Sequence, residues 1–246
     1  MFPAARSGFA VIARNIHVEK NSLMKPTSNE SQWVFPLNGL TKSVVVGGLL
    51  LFTAMAFLAF RTSSHFDEKV FNSIPHNSEG FTSFMHAITK LGNTEVLIVA
   101  NCLLVAFLLI NKEKDTALEV VIVAGSSLVI MSILKRAFHR HRPPDPLIEG
   151  ITNYSFPSGH AFMSLAFYGL MMWWATIHLK EKWQQRAAIS FLAGILVLIG
   201  FSRVYLRVHY TTDVIAGFSM SAAWFIISLT ATDHLIKKPK RLTRKD

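Results

Sequence analysis

Three clusters of polar residues interrupt a largely apolar chain, and their types and spacing define the chemistry open to them. The first is Lys135-Arg136-Ala137-Phe138-His139-Arg140-His141-Arg142-Pro143. Lys135 and Arg142 are seven positions apart, close to two turns of a continuous helix, so both cations would share a face and meet one anion. Pro143 and Pro144 end or redirect that helix. A basic stretch that touches lipid phosphate has the same composition, although such stretches usually serve the cytoplasmic side. The second cluster, Phe156-Pro157-Ser158-Gly159-His160, directly precedes an apolar run. Pro157 is favoured at a helix start, and Gly159 permits close backbone approach. The free N–H groups and positive dipole end of a helix start form an anion site. The same dipole disfavours an imidazolium at His160, which gives up a proton readily there. A Pro-Ser cap with an incidental histidine is the plainer reading. The third cluster runs from Ser202-Arg203 through His209 to Asp213. His209 and Asp213 are spaced i, i+4 on one helical face, and a carboxylate beside an imidazole fixes its tautomer and raises its basicity. Arg203 reaches the same place only if the helix breaks between it and His209. A helix-capping Asp with a nearby His is the alternative. A metal site would draw on His139, His141, His160, His209 and Asp213, but the accompanying Lys and Arg would repel a cation. Neither a metal nor another cofactor is expected.

The elements that must hold these clusters read as membrane helices. Of 246 residues, 51% are hydrophobic and only 16% charged, against about 25% charged in soluble domains. Apolar runs cover residues 44–60, 96–110, 120–134, 161–177, 187–201 and 214–231. With its flanks, each reaches or approaches the roughly 20 residues that span about 30 Å of hydrocarbon. The expected fold is therefore all-α: a polytopic bundle of six transmembrane helices. Phe81, Phe84, Met85 and Ile88 recur at helical spacing among polar residues. They predict a short amphipathic helix lying on the outer surface; a helix seated on the bundle mouth fits the pattern equally. The single cysteine, Cys102, excludes a disulfide framework, a Cys-based zinc site and a CxxC motif.

The 25 Lys and Arg outweigh 15 Asp and Glu, for a net charge of +10. That excess divides by side of the membrane. Six spans place sixteen Lys and Arg with the termini and nine, including Lys135, Arg142 and Arg203, on the opposite side. The positive-inside rule then puts both termini in the cytoplasm and the three clusters outside. The basicity is a topology signal and implies no nucleic-acid partner. Residues 1–40 read as a flexible cytoplasmic tail, without a cleavable signal because residues 9–13 are too short an apolar patch. Residues 41–232 form the six-span domain, and 233–246 a basic cytoplasmic tail.

Taken together and in order, the clusters resemble the type 2 phosphatidic acid phosphatase superfamily. Its signature is Lys-x6-Arg-Pro, Pro-Ser-Gly-His, then Ser-Arg-x5-His-x3-Asp. The matching residues are Lys135 and Arg142-Pro143, Pro157-Ser158-Gly159-His160, and Ser202-Arg203, His209 and Asp213. The resemblance covers roughly residues 40–232. It implies a metal-independent phosphatase in which His209 forms a phosphohistidine, Asp213 supports His209, and His160 is general acid and then base. Lys135, Arg142, Ser158, Gly159 and Arg203 would hold the phosphate. The implied substrates are lipid phosphates: phosphatidic acid, phosphatidylglycerophosphate, undecaprenyl diphosphate or the phosphate of lipid A. Arg136, Arg140, Arg207, His139 and His141 would favour a diphosphate or hold neighbouring anionic lipids.

Other classes remain beside this reading. A phosphotransferase of the same architecture needs the same histidine. A transporter with a basic vestibule normally places ionisable residues inside its spans, where this chain has only Glu95 and Glu119 near the ends. A vanadate haloperoxidase shares the cradle by resemblance but is generally larger and soluble. The small-residue patches Gly47-Gly48, Gly125-Ser126-Ser127 and Gly217 permit close helix approach without defining an oligomeric state.

Overall fold

The computed structural model describes residues 38–61, 65–75 and 78–236. Most of the two expected tails lies outside the described residues. All regular structure among the described residues is helical: α1 (Gly39–Arg61), α2 (His65–Ser73), α3 (Glu79–Lys90), α4 (Thr94–Ile110), α5 (Lys114–Phe138), α6 (Gly159–His178), α7 (Lys182–Tyr205) and α8 (Thr211–Ile236). The physical reason is that a helix satisfies its own backbone groups where no water is available. Several starts are capped by the side chains that such positions favour. Ser78 Oγ accepts from Phe81 N at 3.3 Å, and Asn93 Oδ1 accepts from Glu95 N at 3.1 Å.

Four helices, α1, α5, α7 and α8, are long and apolar enough to cross a membrane. The pair α3 and α4 meets at a 44° bend and qualifies together as a fifth. This is four or five crossings by length and composition, against the six expected. Alone, α4 has only 17 residues. Polar and amphipathic residues dilute α6, among them Ser164, Tyr168, Trp173 and Trp174. Yet α6 lies against α4, α5, α7 and α8, and α8 also lies along α1. Those two helices are the axis of the bundle.

Between helices bathed in lipid, association comes from close packing and hydrogen bonds rather than from water exclusion. Leu108, Val120, Val123, Leu170 and Leu229 interlock at one level of the bundle. Trp224 Nε1 donates to Ser126 Oγ at 3.0 Å, tying α8 to α5. At Gly48 a Cβ would stand 2.7 Å from Ser219 O, so α1 approaches α8 as closely as backbone allows. Outward-facing Leu50, Phe57, Leu103, Ile110, Phe191 and Val197 are exposed, as an apolar solvent permits.

The amphipathic segment does form a helix, α3, and it sits on the end of α7. Met85 is buried with Tyr205, Leu206 and Val208. Thr82 Oγ1 and Tyr205 OH share a hydrogen bond of 2.9 Å, and the Phe81 ring meets Tyr205 edge-on. Phe81 and Phe84 keep exposed faces.

Candidate active site

The three clusters converge at one end of the bundle around a cavity of about 790 Å³. Its wall includes Lys135, Arg142, Gly159, His160, Arg203 and His209. Of the expected site residues, only Ser158 and Asp213 lie behind that wall. Ser158 is fully buried, and its Oγ caps α6 by accepting from Ala161 N at 3.5 Å. Among the described residues, no three His, Cys, Asp or Glu side chains are grouped to hold a metal ion. His139 instead rests edge-on against Tyr154.

Lys135 and Arg142 meet, but by a different route from the expected shared helical face. Helix α5 stops at Phe138, and His139 turns left-handed with φ 46°. The chain doubles back, so both cations bind the same loop. Lys135 Nζ donates to Asn153 Oδ1 and Tyr154 O, each at 3.2 Å. Arg142 Nε donates to Asn153 O at 2.8 Å, and its Nη2 to Asn153 Oδ1. Asn153 thus holds both charges at the cavity, against their mutual repulsion. The loop is anchored from beneath by Phe156, whose buried ring contacts Phe52, Phe60 and Phe138.

The break after α7 does bring Arg203 beside His209. Helix α7 ends at Tyr205, and the amides of Val208 and His209 both donate to Arg203 O at 3.2 Å. Arg203 Nη1 donates to Thr89 Oγ1 at 2.6 Å. Its Nε is buried without a hydrogen-bond partner in the protein, and the residue forms part of the cavity wall.

His209 is 1% exposed, with only its edge on the cavity. Its Nδ1 lies 3.5 Å from Asp213 Oδ2, too long for a good hydrogen bond. Ser155 fills the gap: Ser155 Oγ is 2.5 Å from Asp213 Oδ2 and 3.2 Å from His209 Nδ1. A carboxylate only accepts, so Ser155 spends its one proton on Asp213 and must accept from His209 Nδ1–H. That tautomer leaves the lone pair on Nε2, beside Arg142 Nη1 at 3.4 Å. Burial, then the charges of Arg142, Arg203 and Lys135, hold the His209 pKa well below its ordinary value. The imidazole is therefore neutral near neutrality, as a nucleophile or base must be. Burial also lowers Arg142 to about 10, which still leaves it charged.

Asp213 is fixed from every side. Its Oδ2 also accepts from Tyr210 N at 2.9 Å, and its Oδ1 accepts from Arg140 Nη1 at 2.5 Å. Arg140 was expected to face a diphosphate or lipid headgroups. It is instead buried, with Asp67 and Asp213 as its ion-pair partners. Burial works against its charge, but the two carboxylates outweigh that and raise its pKa. Sequence reasoning passed over Ser155, Asn153, Thr89 and Asp67. Only Ser155 carried a signal, as a hydroxyl three residues before Ser158.

A neutral imidazole backed by a carboxylate, facing three cations across a cavity, is equipped to attack an electrophilic oxyanion such as a phosphate. Comparison with known proteins agrees. Residues 116–237 match the family described as the PAP2 superfamily. The chain is 30% identical over 155 residues to phosphatidylglycerophosphatase B of Bacillus subtilis, covering 63% of this chain and 76% of that one. It is 29% identical over 167 residues to undecaprenyl-diphosphatase of Sulfolobus acidocaldarius, covering 64% and 74%. The crystal structure of a transmembrane PAP2-type phosphatidylglycerolphosphate phosphatase from Bacillus subtilis superposes with a TM-score of 0.71 at 25% identity, over 81% of this chain and 99% of that one. The chain belongs to the PAP2 superfamily, as a multi-pass membrane phosphatase.

Proposed function

We propose that this protein hydrolyses lipid phosphate or diphosphate esters through a phosphohistidine at the outer face of the membrane. The observation that carries the reading is His209: Nδ1 committed to Ser155 and through it to Asp213, Nε2 turned toward Arg142 and the cavity. In the first step Nε2 attacks phosphorus and the bond to the leaving oxygen breaks. Lys135, Arg142 and Arg203 bind the non-bridging oxygens, whose charge must be supported in the transition state. The backbone N–H of Gly159, at the start of α6, adds to that cradle. The growing positive charge on His209 is stabilised by Asp213. His160 protonates the departing oxygen; the bound phosphate's negative charge favours its protonated ring. In the second step His160 takes a proton from water, which attacks the phosphohistidine and frees His209 and inorganic phosphate.

The substrate is an amphiphile with its phosphate at the depth of the cavity. The named relatives point to phosphatidylglycerophosphate and undecaprenyl diphosphate, with phosphatidic acid as the simplest further member. With α4 and α6 counted as crossings beside the four longest helices, both termini are cytoplasmic and the cavity opens outward. The test is phosphate release by purified protein in detergent from a panel of these lipids, with and without EDTA. Release that persists in EDTA and vanishes in His209→Ala supports the reading. Activity that survives His209→Ala overturns it.

A further inference from the structure

We propose that Asp67, on the short helix α2, is a positioning residue of the catalytic centre, acting through Arg140 and the start of α8. Asp67 lies outside the segment that matches the family and is 3% exposed. One carboxylate serves three donors. Oδ2 accepts from Arg140 Nη2 at 2.9 Å and from Thr212 Oγ1 at 2.7 Å, and Oδ1 accepts from Thr212 N at 3.0 Å. The last bond satisfies an amide in the first turn of α8, where a carboxylate is favoured by the helix dipole. Arg140 Nη1 in turn donates to Thr212 Oγ1 at 2.8 Å and to Asp213 Oδ1 at 2.5 Å. Its guanidinium also lies 4.2 Å from the Tyr210 ring. A second contact seats α2 on the same loop: Arg207 stacks on Phe71 at 4.6 Å.

The geometry makes a buried relay from Asp67 to Arg140, Asp213, Ser155 and His209. Each member fixes the next, because each oxygen is engaged and no side chain can rotate alone. Asp67 also sets the charge balance. With Arg140 it forms a neutral pair, so Asp213 faces a guanidinium whose positive charge is shared. Substituting either partner changes the field at His209 in opposite directions. The other groups facing His209 are Lys135 on α5, Arg142 on the loop, His160 on α6, Arg203 on α7 and Asp213 on α8; all are retained in the variants below.

The inference rests on His209 being the nucleophile, and the test separates the two. Purified full-length protein is assayed for phosphate release from a lipid phosphate in detergent across pH. His209→Ala tests the reading of the site; the remaining variants test Asp67. Asp67→Asn should lower kcat about 10- to 100-fold, by analogy with removing the outer-shell partner of a metal-ligating histidine, with KM within about threefold. Its kcat/KM acid limb should move to lower pH, because a negative charge near His209 is gone. Arg140→Gln should lower kcat too but move the limb to higher pH. A limb shift of about half a pH unit in each direction is expected. Lys69→Ala, an exposed position on the same helix, should leave kcat and the limb unchanged. Removing one partner of a buried pair can unfold a protein, so the double variant Asp67→Asn with Arg140→Gln, which keeps the cluster's net charge, carries the test if a single variant is unfolded. It should return the limb to the parental position while kcat stays low. A folded Asp67→Asn or double variant with kcat within threefold of the parent overturns the assignment. So does a fall in kcat without opposed limb shifts, which a merely structural role would give.

Discussion

Ser155→Ala tests whether a serine hydroxyl links the carboxylate to the imidazole. Ser155 Oγ bridges Asp213 Oδ2 at 2.5 Å and His209 Nδ1 at 3.2 Å, while the direct His–Asp separation is 3.5 Å. The substitution removes one hydrogen bond to a charged group, worth about 1.5–3 kcal/mol. Converted to rate, this is a loss of about 10- to 150-fold in kcat. The lower end is expected, because closing the direct gap to hydrogen-bond distance needs a shift of only about 0.5 Å. Asp213 also retains Arg140 and Tyr210 N. KM should hold, since Ser155 is fully buried and off the cavity wall. Steady-state phosphate release in detergent, with enzyme concentration fixed by absorbance and folding checked by thermal unfolding, gives both constants. Asp213→Asn, measured alongside, should lose about 10⁴-fold by analogy with a catalytic triad. A Ser155→Ala enzyme within twofold of the parent would refute the bridge. A loss as deep as that of Asp213→Asn would also refute it, since a spacer cannot outweigh the charge it transmits.

Further outcomes follow from the same geometry. At Gly217 a Cβ would stand 2.6 Å from Ser158 O, which is backbone. Gly217→Ala should therefore displace the start of α6 and lower stability by about 1–3 kcal/mol, read as a fall in melting temperature together with kcat. Because the folded His209 pKa lies well below 6.5, the unfolded chain binds the extra proton first. This residue's contribution makes stability fall as pH drops below 6.5, and His209→Gln should flatten that part of a melting-temperature profile. Asn153→Ala removes the acceptor shared by Lys135 and Arg142 and should raise KM about tenfold, as loss of a positioning hydrogen bond of roughly 1.4 kcal/mol would.

The sequence alone was enough for the residues that line the cavity, because their types recur at short spacings. Lys135, Arg142, Gly159, His160, Arg203 and His209 all reach one cavity. Helical class was equally legible, since long apolar runs have few other solutions in lipid. Local spacing failed where the path of the chain mattered. The seven-residue interval from Lys135 to Arg142 suggested one helical face, but α5 ends at Phe138 and a loop produces the convergence. The i, i+4 interval of His209 and Asp213 suggested direct contact, but His209 lies before α8 begins and Ser155 stands between them.

Arg140 shows the limit most clearly. Six charges crowd residues 135–142 in the sequence if both histidines are counted, and nothing local separates the one that faces inward. Its partners, Asp67 and Asp213, are each 73 positions away in opposite directions. Periodicity and composition report what a residue's own element does. Which residues of different elements meet is decided only when α2, the α5–α6 loop and α8 dock. The sequence by itself determined the groups that meet at the cavity and the helices that carry them. Tertiary structure decided how those groups are oriented, because orientation depends on contacts between different elements, up to more than seventy residues apart, that no local pattern encodes.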